Sequence, residues 1–181
     1  MRLNTERLIL KPVQLSDLDA LFKIYGDPAT NTFNPLGPFP DIGYANDVLQ
    51  EWLNHWKDKS FGYWAVSMQE EPERVIGFGG LSMKRHSEQM LTNLGYRFET
   101  AAWGKGFATE LAKFLIRYGF TELSLQEISA TTRANHLASR HVLEKSGLRY
   151  IRDIHDAAGT PPSMLFNLTQ KAWLNEQLYS E

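Results

Sequence analysis

The sequence predicts a single mixed α/β domain, and three observations support this fold class. The chain has 181 residues, of which 43% are hydrophobic and 12% aromatic, enough for one sizeable core. Apolar residues recur with a period of two over residues 61–99 and with the period of a helix on either side of them. After residue 100, predicted helices and strands alternate. No linker or repeat interrupts the chain, so we predict one domain over residues 1–181.

Composition excludes several classes of function. The chain contains no cysteine, which rules out disulfides, thiolate catalysis and cysteine-ligated metal sites; we expect no metal. The net charge of −2 argues against a nucleic-acid-binding protein, which usually carries a basic excess. No apolar run is long enough for a signal peptide or a membrane span. We therefore expect a soluble, cytoplasmic protein with no nucleic-acid or membrane partner.

The first half of the chain reads as one strand, two helices and three strands. Residues 6–13 predict a strand, and a helix follows with Ser16 as its N-cap and Gly26 at its end. Three prolines and two glycines over residues 34–43 predict a stiff, irregular loop before a second helix. Alternation then predicts three consecutive strands over residues 61–68, 74–83 and 89–99.

In the second half, two helices are each preceded by a strand. A helix begins near Gly104, a strand covers residues 126–133, and a helix runs from an N-cap at Asn135 to a stop at Gly147. Two strands, the second over residues 163–169, and a short helix complete the chain. The predicted order is β α α β β β α β α β β with this final helix.

The stretch AAWGKGFATE, residues 101–110, carries the main functional signal. It predicts a turn between a strand and a helix, where free backbone amides and the helix dipole favour a phosphate. Gly104 and Gly106 would leave those amides open, and Lys105 adds a positive charge. A turn that merely needs permissive residues is the alternative. The pattern fails as a Walker loop, because no Ser or Thr follows the lysine, and as a dinucleotide fingerprint, because Thr109 replaces the third glycine.

Two longer stretches carry a resemblance to a known family. GYRFETAAWGKGFATELAKFLIRYGF and, after it, TTRANHLASRHVLEKSGLRYI resemble the GCN5-related N-acetyltransferases (GNAT), and more narrowly the branch of ribosomal-protein N-terminal alanine and serine acetyltransferases. The resemblance covers nearly the whole chain. It implies the GNAT fold, a mixed and mostly antiparallel sheet with splayed central strands flanked by helices. It also implies acetyl-CoA as cosubstrate and an amine as acceptor.

The resemblance further implies where acetyl-CoA binds. The pyrophosphate would lie on the amides of the glycine turn and the first helical turn, and the pantetheine arm beside the preceding strand and the next helix. The implied residues are Phe98, Glu99, Thr100, Trp103, Gly104, Lys105, Gly106, Phe107, Ala108, Thr109, Asn135 and Ser139.

The sequence departs from the family pattern at two positions. Ala101 stands where relatives often have Gln or Arg. Leu143 stands where many relatives have a tyrosine as general acid, so we predict that Ser139, one helical turn earlier on the same face, donates a hydrogen bond to the leaving thiolate. Packing is the alternative role for this serine.

The general base and the acceptor side are less determined. Glu99, at a strand end, is the candidate base, with an ordinary solvated carboxylate as the alternative. His86 and Glu88 would lie in a loop and could face the acceptor, whereas His136 and His141 lie on the Asn135 helix, where one could simply cover the core. Aromatic residues near the proline-rich loop are the candidate acceptor contacts: Phe33, Phe39 and Tyr44. Trp64, inside a strand, is expected in the core.

The sequence therefore predicts an acetyl-CoA-dependent N-acetyltransferase that acts by direct attack of a primary amine in a ternary complex. A protein N-terminal α-amine is one candidate acceptor, and a small amine such as a polyamine, an amino acid or an antibiotic is the other. A catalytically silent CoA-binding module is the rival of a different class, since the tyrosine is missing. We expect a monomer or a homodimer.

Overall fold

The computed structural model describes residues 1–156 and 158–180, which form eight strands and five α-helices. The strands are β1 (Leu3–Asn4), β2 (Leu8–Pro12), β3 (Tyr63–Met68), β4 (Glu71–His86), β5 (Gln89–Phe98), β6 (Glu127–Arg133), β7 (Arg149–Ile154) and β8 (Ser163–Thr169). The helices are α1 (Leu18–Tyr25), α2 (Ile42–Lys59), α3 (Phe107–Thr121), α4 (Leu137–Lys145) and α5 (Gln170–Tyr179). The predicted order of elements is confirmed, with β1 as an addition.

The chain divides into two compact units. Unit 1 comprises Met1–Ser82 and Gly95–Leu111, and unit 2 comprises Met83–Leu94 and the described residues from Ala112 onward. The elements β4, β5 and α3 each contribute to both units. The assignment of residues 1–181 to one domain stays a prediction.

Unit 1 has the strand order β1-β2-β3-β4-β5. The pairs β1–β2, β2–β3 and β3–β4 are antiparallel. Helices α1 and α2 contact each other, and their apolar faces bury an aromatic-rich cluster. Its buried members are Val13, Leu21, Ile24, Tyr25, Leu49, Ala65 and Phe78. Trp64 is also buried, as predicted, at 1% exposed.

Unit 2 continues the strand order as β5-β6-β8-β7. β6 and β8 pair antiparallel along their whole length, from Glu127 opposite Thr169 to Arg133 opposite Ser163. β5 and β6 are parallel and, among the described residues, share only the register position that joins Asn93 to Ser129. The sheet is thus mixed, and the sparse pairing of these two strands agrees with the predicted splay.

Three helix starts differ from the prediction. A short 3-10 helix over Leu15–Asp17 precedes α1, so Asp17 rather than Ser16 occupies the N-cap; the Asp17 carboxylate accepts from the Gln14 amide at 2.8 Å, which starts the turn early. α3 begins at Phe107 rather than at Gly104. α4 has His136 rather than Asn135 at its N-cap.

The segment between the predicted strands 74–83 and 89–99, which we expect to be a loop, is mostly strand in the structure. β4 extends to His86 and β5 begins at Gln89, which leaves Ser87 and Glu88 as a tight turn. Ser87 has a positive φ of 57°, the backbone conformation that such a reversal requires. The sequence predicts too long a loop, because residues 84–90 are mostly polar and show no alternation of apolar and polar side chains.

Candidate active site

The chain leaves β5 through a short 3-10 turn before the glycines. β5 ends at Phe98, whose side chain is 5% exposed, and a 3-10 helix covers Thr100–Ala102. The indole of Trp103 donates from Nε1 to the Phe98 carbonyl at 2.9 Å. This bond closes the turn and leaves much of the Trp103 ring at the surface, 52% exposed.

Both glycines of the turn adopt a backbone conformation that other residues avoid. Gly104 has φ +75° and Gly106 has φ +79°, in the left-handed region that costs an L-residue roughly 1–2 kcal/mol. A Cβ on Gly104 would meet nothing within 4 Å. The space beside this turn is therefore open, and the glycines serve the backbone path rather than a close contact inside the protein.

A glycine stands at the N-terminal boundary of α3. The Glu110 amide donates to the Gly106 carbonyl at 3.0 Å, which makes Gly106 the residue at the helix boundary. Since glycine has no side chain, it cannot satisfy the free amides of the first turn, which lack partners within the helix. Amides in this position, together with the positive end of the helix dipole, favour an anion.

Arg7, on the segment before β2, fixes this turn from outside. Its Nη1 donates to the Lys105 carbonyl at 2.8 Å, and its Nε binds Glu110 at 2.7 Å. The guanidinium carbon also lies 4.5 Å from the centre of the Phe107 ring. Burial acts to raise the pKa of Glu110, but hydrogen bonds from Thr5 and Arg7 together with the Arg7 charge outweigh it and hold the pKa below its usual 4.5.

Glu99 is held by an arginine of the neighbouring strand. Its carboxylate forms an ion pair with Arg74, and its side chain is 12% exposed. Its amide donates to the Ile76 carbonyl at 2.9 Å. The role of Glu99 as general base stays a prediction, and the ion pair means that Arg74 must be counted as part of any such site.

In unit 2, the strand–turn–helix junction from β6 to α4 carries the two remaining candidates. Asn135 is exposed, and Ser139 lies in the first turn of α4, partly exposed. His136 Nδ1 accepts from the Ser139 amide at 3.4 Å and caps the helix. Leu143, at the place of the missing tyrosine, is 1% exposed and therefore belongs to the core.

The three candidate acceptor contacts all lie in unit 1. Phe39 is partly buried against the aromatic-rich cluster, with its ring 5.3 Å from that of Tyr25. Tyr44 packs on Phe39 at 4.8 Å between ring centres and is 42% exposed. Phe33 is partly buried. The structure therefore gives Phe39 a packing role and leaves Tyr44 accessible.

His86 and Asn93 of unit 2 are a buried polar pair that the sequence did not indicate. They are 4% and 6% exposed, and His86 Nε2 and Asn93 Oδ1 have no hydrogen-bond partner within the part of the chain that the structure describes. Burial and the nearby Lys84 lower the pKa of His86, against smaller opposing effects of Asn93 and Asp156. His86 is thus an interior residue rather than an exposed loop histidine, while Glu88 is exposed.

Sequence reasoning also missed the arginines that organise unit 1. Arg7, Arg74 and Arg97 each contact residues far away in the chain, and no local pattern marks such contacts. Among residues 1–156 and 158–180, no group of three or more His, Asp and Glu side chains is placed to hold a metal ion. In the same residues, the helices are all too short or too polar to cross a membrane.

Comparison with known proteins agrees with this geometry. Residues 7–149 match the sequence profile of the acetyltransferase (GNAT) domain. An uncharacterized N-acetyltransferase, p20, of Bacillus licheniformis is 33% identical over 162 residues, 87% of this chain and 89% of that protein. The FsC-acetyl coenzyme A-N(2)-transacetylase of Aspergillus fumigatus is 33% identical over 194 residues, 97% of this chain and 79% of that protein.

A solved structure shows the same fold at lower identity. The crystal structure of spermidine N-acetyltransferase from Vibrio cholerae, in complex with CoA and spermine, superimposes with a TM-score of 0.76 at 17% identity, covering 93% of this chain and 98% of that one. The chain belongs to the GNAT family and has its fold. It is an N-acetyltransferase.

Proposed function

We propose that this N-acetyltransferase transfers an acetyl group from acetyl-CoA to a primary amine by direct attack in a ternary complex. One observation supports the donor above all others: two glycines with positive φ precede α3, and the boundary residue Gly106 has no side chain that could cap the helix. An anion binds such amides readily. The pyrophosphate of acetyl-CoA is the anion that the family resemblance implies.

The residues present fit this cosubstrate. The amides of Gly104, Lys105 and Gly106 and of the first turn of α3 would hold the pyrophosphate, and the exposed Lys105 side chain adds a positive charge. Arg7 holds the Lys105 carbonyl, so the loop is preorganised before the ligand arrives. When bound, the thioester supplies an activated acyl group.

The remaining residues would act on the amine and the leaving group. Glu99 would accept the proton of the amine, with Arg74 orienting its carboxylate. Asn135 would hydrogen-bond the pantetheine arm, because its side chain is exposed and has no partner in the part of the chain that the structure describes. Ser139 would donate to the leaving thiolate, a modest requirement for a thiol of pKa about 8.5.

The acceptor is either a protein N-terminus, as the resemblance to the ribosomal-protein branch suggests, or a small amine, as the name of the spermidine N-acetyltransferase suggests for its own substrate. Both acceptors are primary amines, and the donor site is the same for both. The cytoplasmic location and the state of monomer or homodimer stay predictions.

Calorimetric titration with acetyl-CoA tests the donor site, using Gly104→Glu and a matched control. Gly159 has φ +74° and, like Gly104, no atom within 4 Å of an added Cβ, so Gly159→Glu imposes the same backbone strain and charge elsewhere in the chain. We expect micromolar binding by the wild type and by Gly159→Glu. Gly104→Glu should weaken it at least about 100-fold, because like charges brought together cost several kcal/mol.

The other results of this titration are equally informative. Absence of binding by the wild type would contradict the proposed donor, and equal weakening in both variants would move the pyrophosphate away from this turn. Binding without consumption of acetyl-CoA in the presence of amines would favour the silent CoA-binding module. A thermal melt of each variant establishes that the fold is intact.

A further inference from the structure

Arg97 of unit 1 is a partly buried cation without an acidic partner. It lies on β5, next to Phe98, and its Nη1 donates to the Asn31 Oδ1 at 2.8 Å. The arginines Arg7 and Arg74 are ion-paired with glutamates, whereas no carboxylate among the described residues comes within 4.0 Å of the Arg97 guanidinium. The charge of Arg97 is therefore balanced by no carboxylate of the described chain, unlike the charges of Arg7 and Arg74.

The face of the guanidinium is covered by an aromatic ring. The Arg97 Cζ lies 4.4 Å from the centre of the Tyr25 ring, and Tyr25 itself packs against Phe39 and Trp52 at 5.3 and 5.7 Å. Burial raises the pKa of the Tyr25 and Tyr63 phenols even though the Arg97 charge acts to lower it. Both phenols are therefore neutral, and neither supplies a negative charge to Arg97.

Asn31 fixes the orientation of the guanidinium. Asn31 is 5% exposed, and its Nδ2 donates to the carbonyls of Tyr25 and Asp27, both at 2.8 Å. These two bonds determine which way the amide faces, so Oδ1 points to Arg97 Nη1 by necessity. The guanidinium is thus held by the Asn31 amide at one nitrogen and by the Tyr25 ring on one face. A group that is fixed before its ligand arrives loses less entropy on binding.

The other donors of the fork are unused within the described chain. A guanidinium has five N–H donors, and the bond to Asn31 uses one. No nitrogen of Arg97 is among the buried unpartnered atoms of the described chain, which are His86 Nε2 and Asn93 Oδ1. Arg97 makes no further hydrogen bond with the described residues and is not among their fully buried unpartnered atoms, so its remaining donors are left for water or a ligand.

We propose that Arg97 binds a carboxylate of the acceptor, so that the acceptor is an amine that also carries a carboxylate, as amino acids do. This inference rests on the proposed function and names the substrate class within it. One planar fork matches one carboxylate in charge and geometry. Arg97 precedes Phe98 on β5, so its side chain lies on the opposite face of the strand from that of Phe98. On that face its supporting ring Tyr25 packs on Phe39, which packs in turn on the exposed Tyr44, a candidate acceptor contact. A polyamine would be repelled by the same charge.

Matched pairs of acceptors test the proposal. We would measure kcat/KM for ω-amino acids of increasing length and for their carboxamides, in which the distant amine is almost unchanged, with spermidine as the cationic comparison. The wild type should prefer the carboxylate of the best pair at least about 10-fold, through KM. In Arg97→Gln this ratio should fall to about 1, and Arg97→Lys, which keeps the charge but loses the fork, should give an intermediate ratio.

A matched control separates this effect from a general loss of surface charge. Arg2 also lies in unit 1, and its Nε contacts Asn4 at 3.4 Å; Arg2→Gln should retain the wild-type ratio. Thermal melts identify a variant that does not fold, in which case Arg97→Lys decides. If turnover is too slow to measure, binding of the same acids and amides to the CoA-saturated protein gives the same ratio.

The outcomes distinguish the two proposals. An equal preference for acid and amide, a preference for spermidine, or a ratio that survives in folded Arg97→Gln would overturn the role of Arg97 while leaving the acetyltransfer intact. A wild type that neither binds nor consumes acetyl-CoA would instead contradict the proposed function.

Discussion

Two junctions of this chain, β5–α3 and β6–α4, both run from a strand through a turn into a helix, but the residues at the N-termini of the two helices differ in kind. At α4, His136 caps the helix with its side chain, and its Nδ1 accepts from the Ser139 amide. At α3, the boundary residue is Gly106, which has no side chain to offer. A glycine at the N-cap costs only a few tenths of a kcal/mol relative to a capping side chain, so α3 can leave its first amides open to a ligand at little cost in stability.

The two junctions are also held in different ways. In the α4 junction, Arg140 Nη1 donates to the Ala134 carbonyl at 3.0 Å, a contact between residues six apart in the chain. In the α3 junction, Arg7 donates to the Lys105 carbonyl from 98 residues away. A closed junction can thus be stabilised locally, whereas the open one depends on tertiary contacts.

The largest expected effect comes from replacing the arginine that holds each junction, Arg7 at α3 and Arg140 at α4. Arg7→Gln loses the bonds to Lys105 and Glu110, and we expect it to lower the free energy of unfolding by about 1–2 kcal/mol and to weaken acetyl-CoA binding roughly 10-fold, because the turn is no longer held. Arg140→Gln, which loses one exposed bond, should change stability by less than about 0.5 kcal/mol. Urea denaturation and calorimetry measure both; equal effects would refute the distinction.

Local features were predictable from the sequence where burial has a period. β8 occupies residues 163–169 as predicted, since its buried and exposed residues alternate over most of its length. Gly147, the predicted stop of α4, has φ +98°, and the Leu148 amide donates to the Leu143 carbonyl at 3.0 Å behind it. The GNAT fold was also predictable, because the two motif stretches carry a family pattern that composition alone does not.

Other features escaped because they depend on tertiary structure. The start of α3 was placed at Gly104, since a sequence does not show that both glycines take a positive φ and remain outside the helix. His136 rather than Asn135 is the N-cap of α4, because the turn before the helix ends one residue later than the sequence predicts. The His136 amide donates to the Arg133 carbonyl at 3.0 Å and closes this turn. The contact of the Arg97 guanidinium with the Tyr25 ring joins residues 72 positions apart, and no local sequence pattern encodes it.

A smaller effect on stability is expected at the α4 junction, where His136 caps the helix. His136→Ala removes the cap of α4, and we expect a loss of about 0.5–1 kcal/mol, near the lower end for caps, because the bond is long at 3.4 Å. His136→Asn introduces a residue that caps well and should restore or exceed the wild-type stability. Chemical denaturation measures this order; an Asn variant as unstable as the Ala variant would mean that His136 contributes through packing instead.

The smallest effect concerns acid pH, where His86 of unit 2 and Glu110 of unit 1 titrate with lowered pKa values. Because the pKa of His86 is lower than 6.5 in the folded protein, the unfolded chain takes up this proton first, and stability falls as the pH drops below 6.5. The pKa of Glu110 is below 4.5, so its contribution is present above 4.5 and is lost only at lower pH. Each slope reflects less than one proton, below ~1.4 kcal/mol per pH unit.

Substitution separates the two pH windows. We expect His86→Gln to flatten the pH dependence of the unfolding free energy just below pH 6.5 without altering it below 4.5, and Glu110→Gln to do the reverse. Denaturation curves at half-unit steps from pH 7 to 3.5 measure both slopes. If His86→Gln leaves the upper slope unchanged, another group takes up that proton, and the buried His86–Asn93 pair is neutral for a reason other than the cost of charging it. The acid sensitivity of unit 2 would then not originate in its interior.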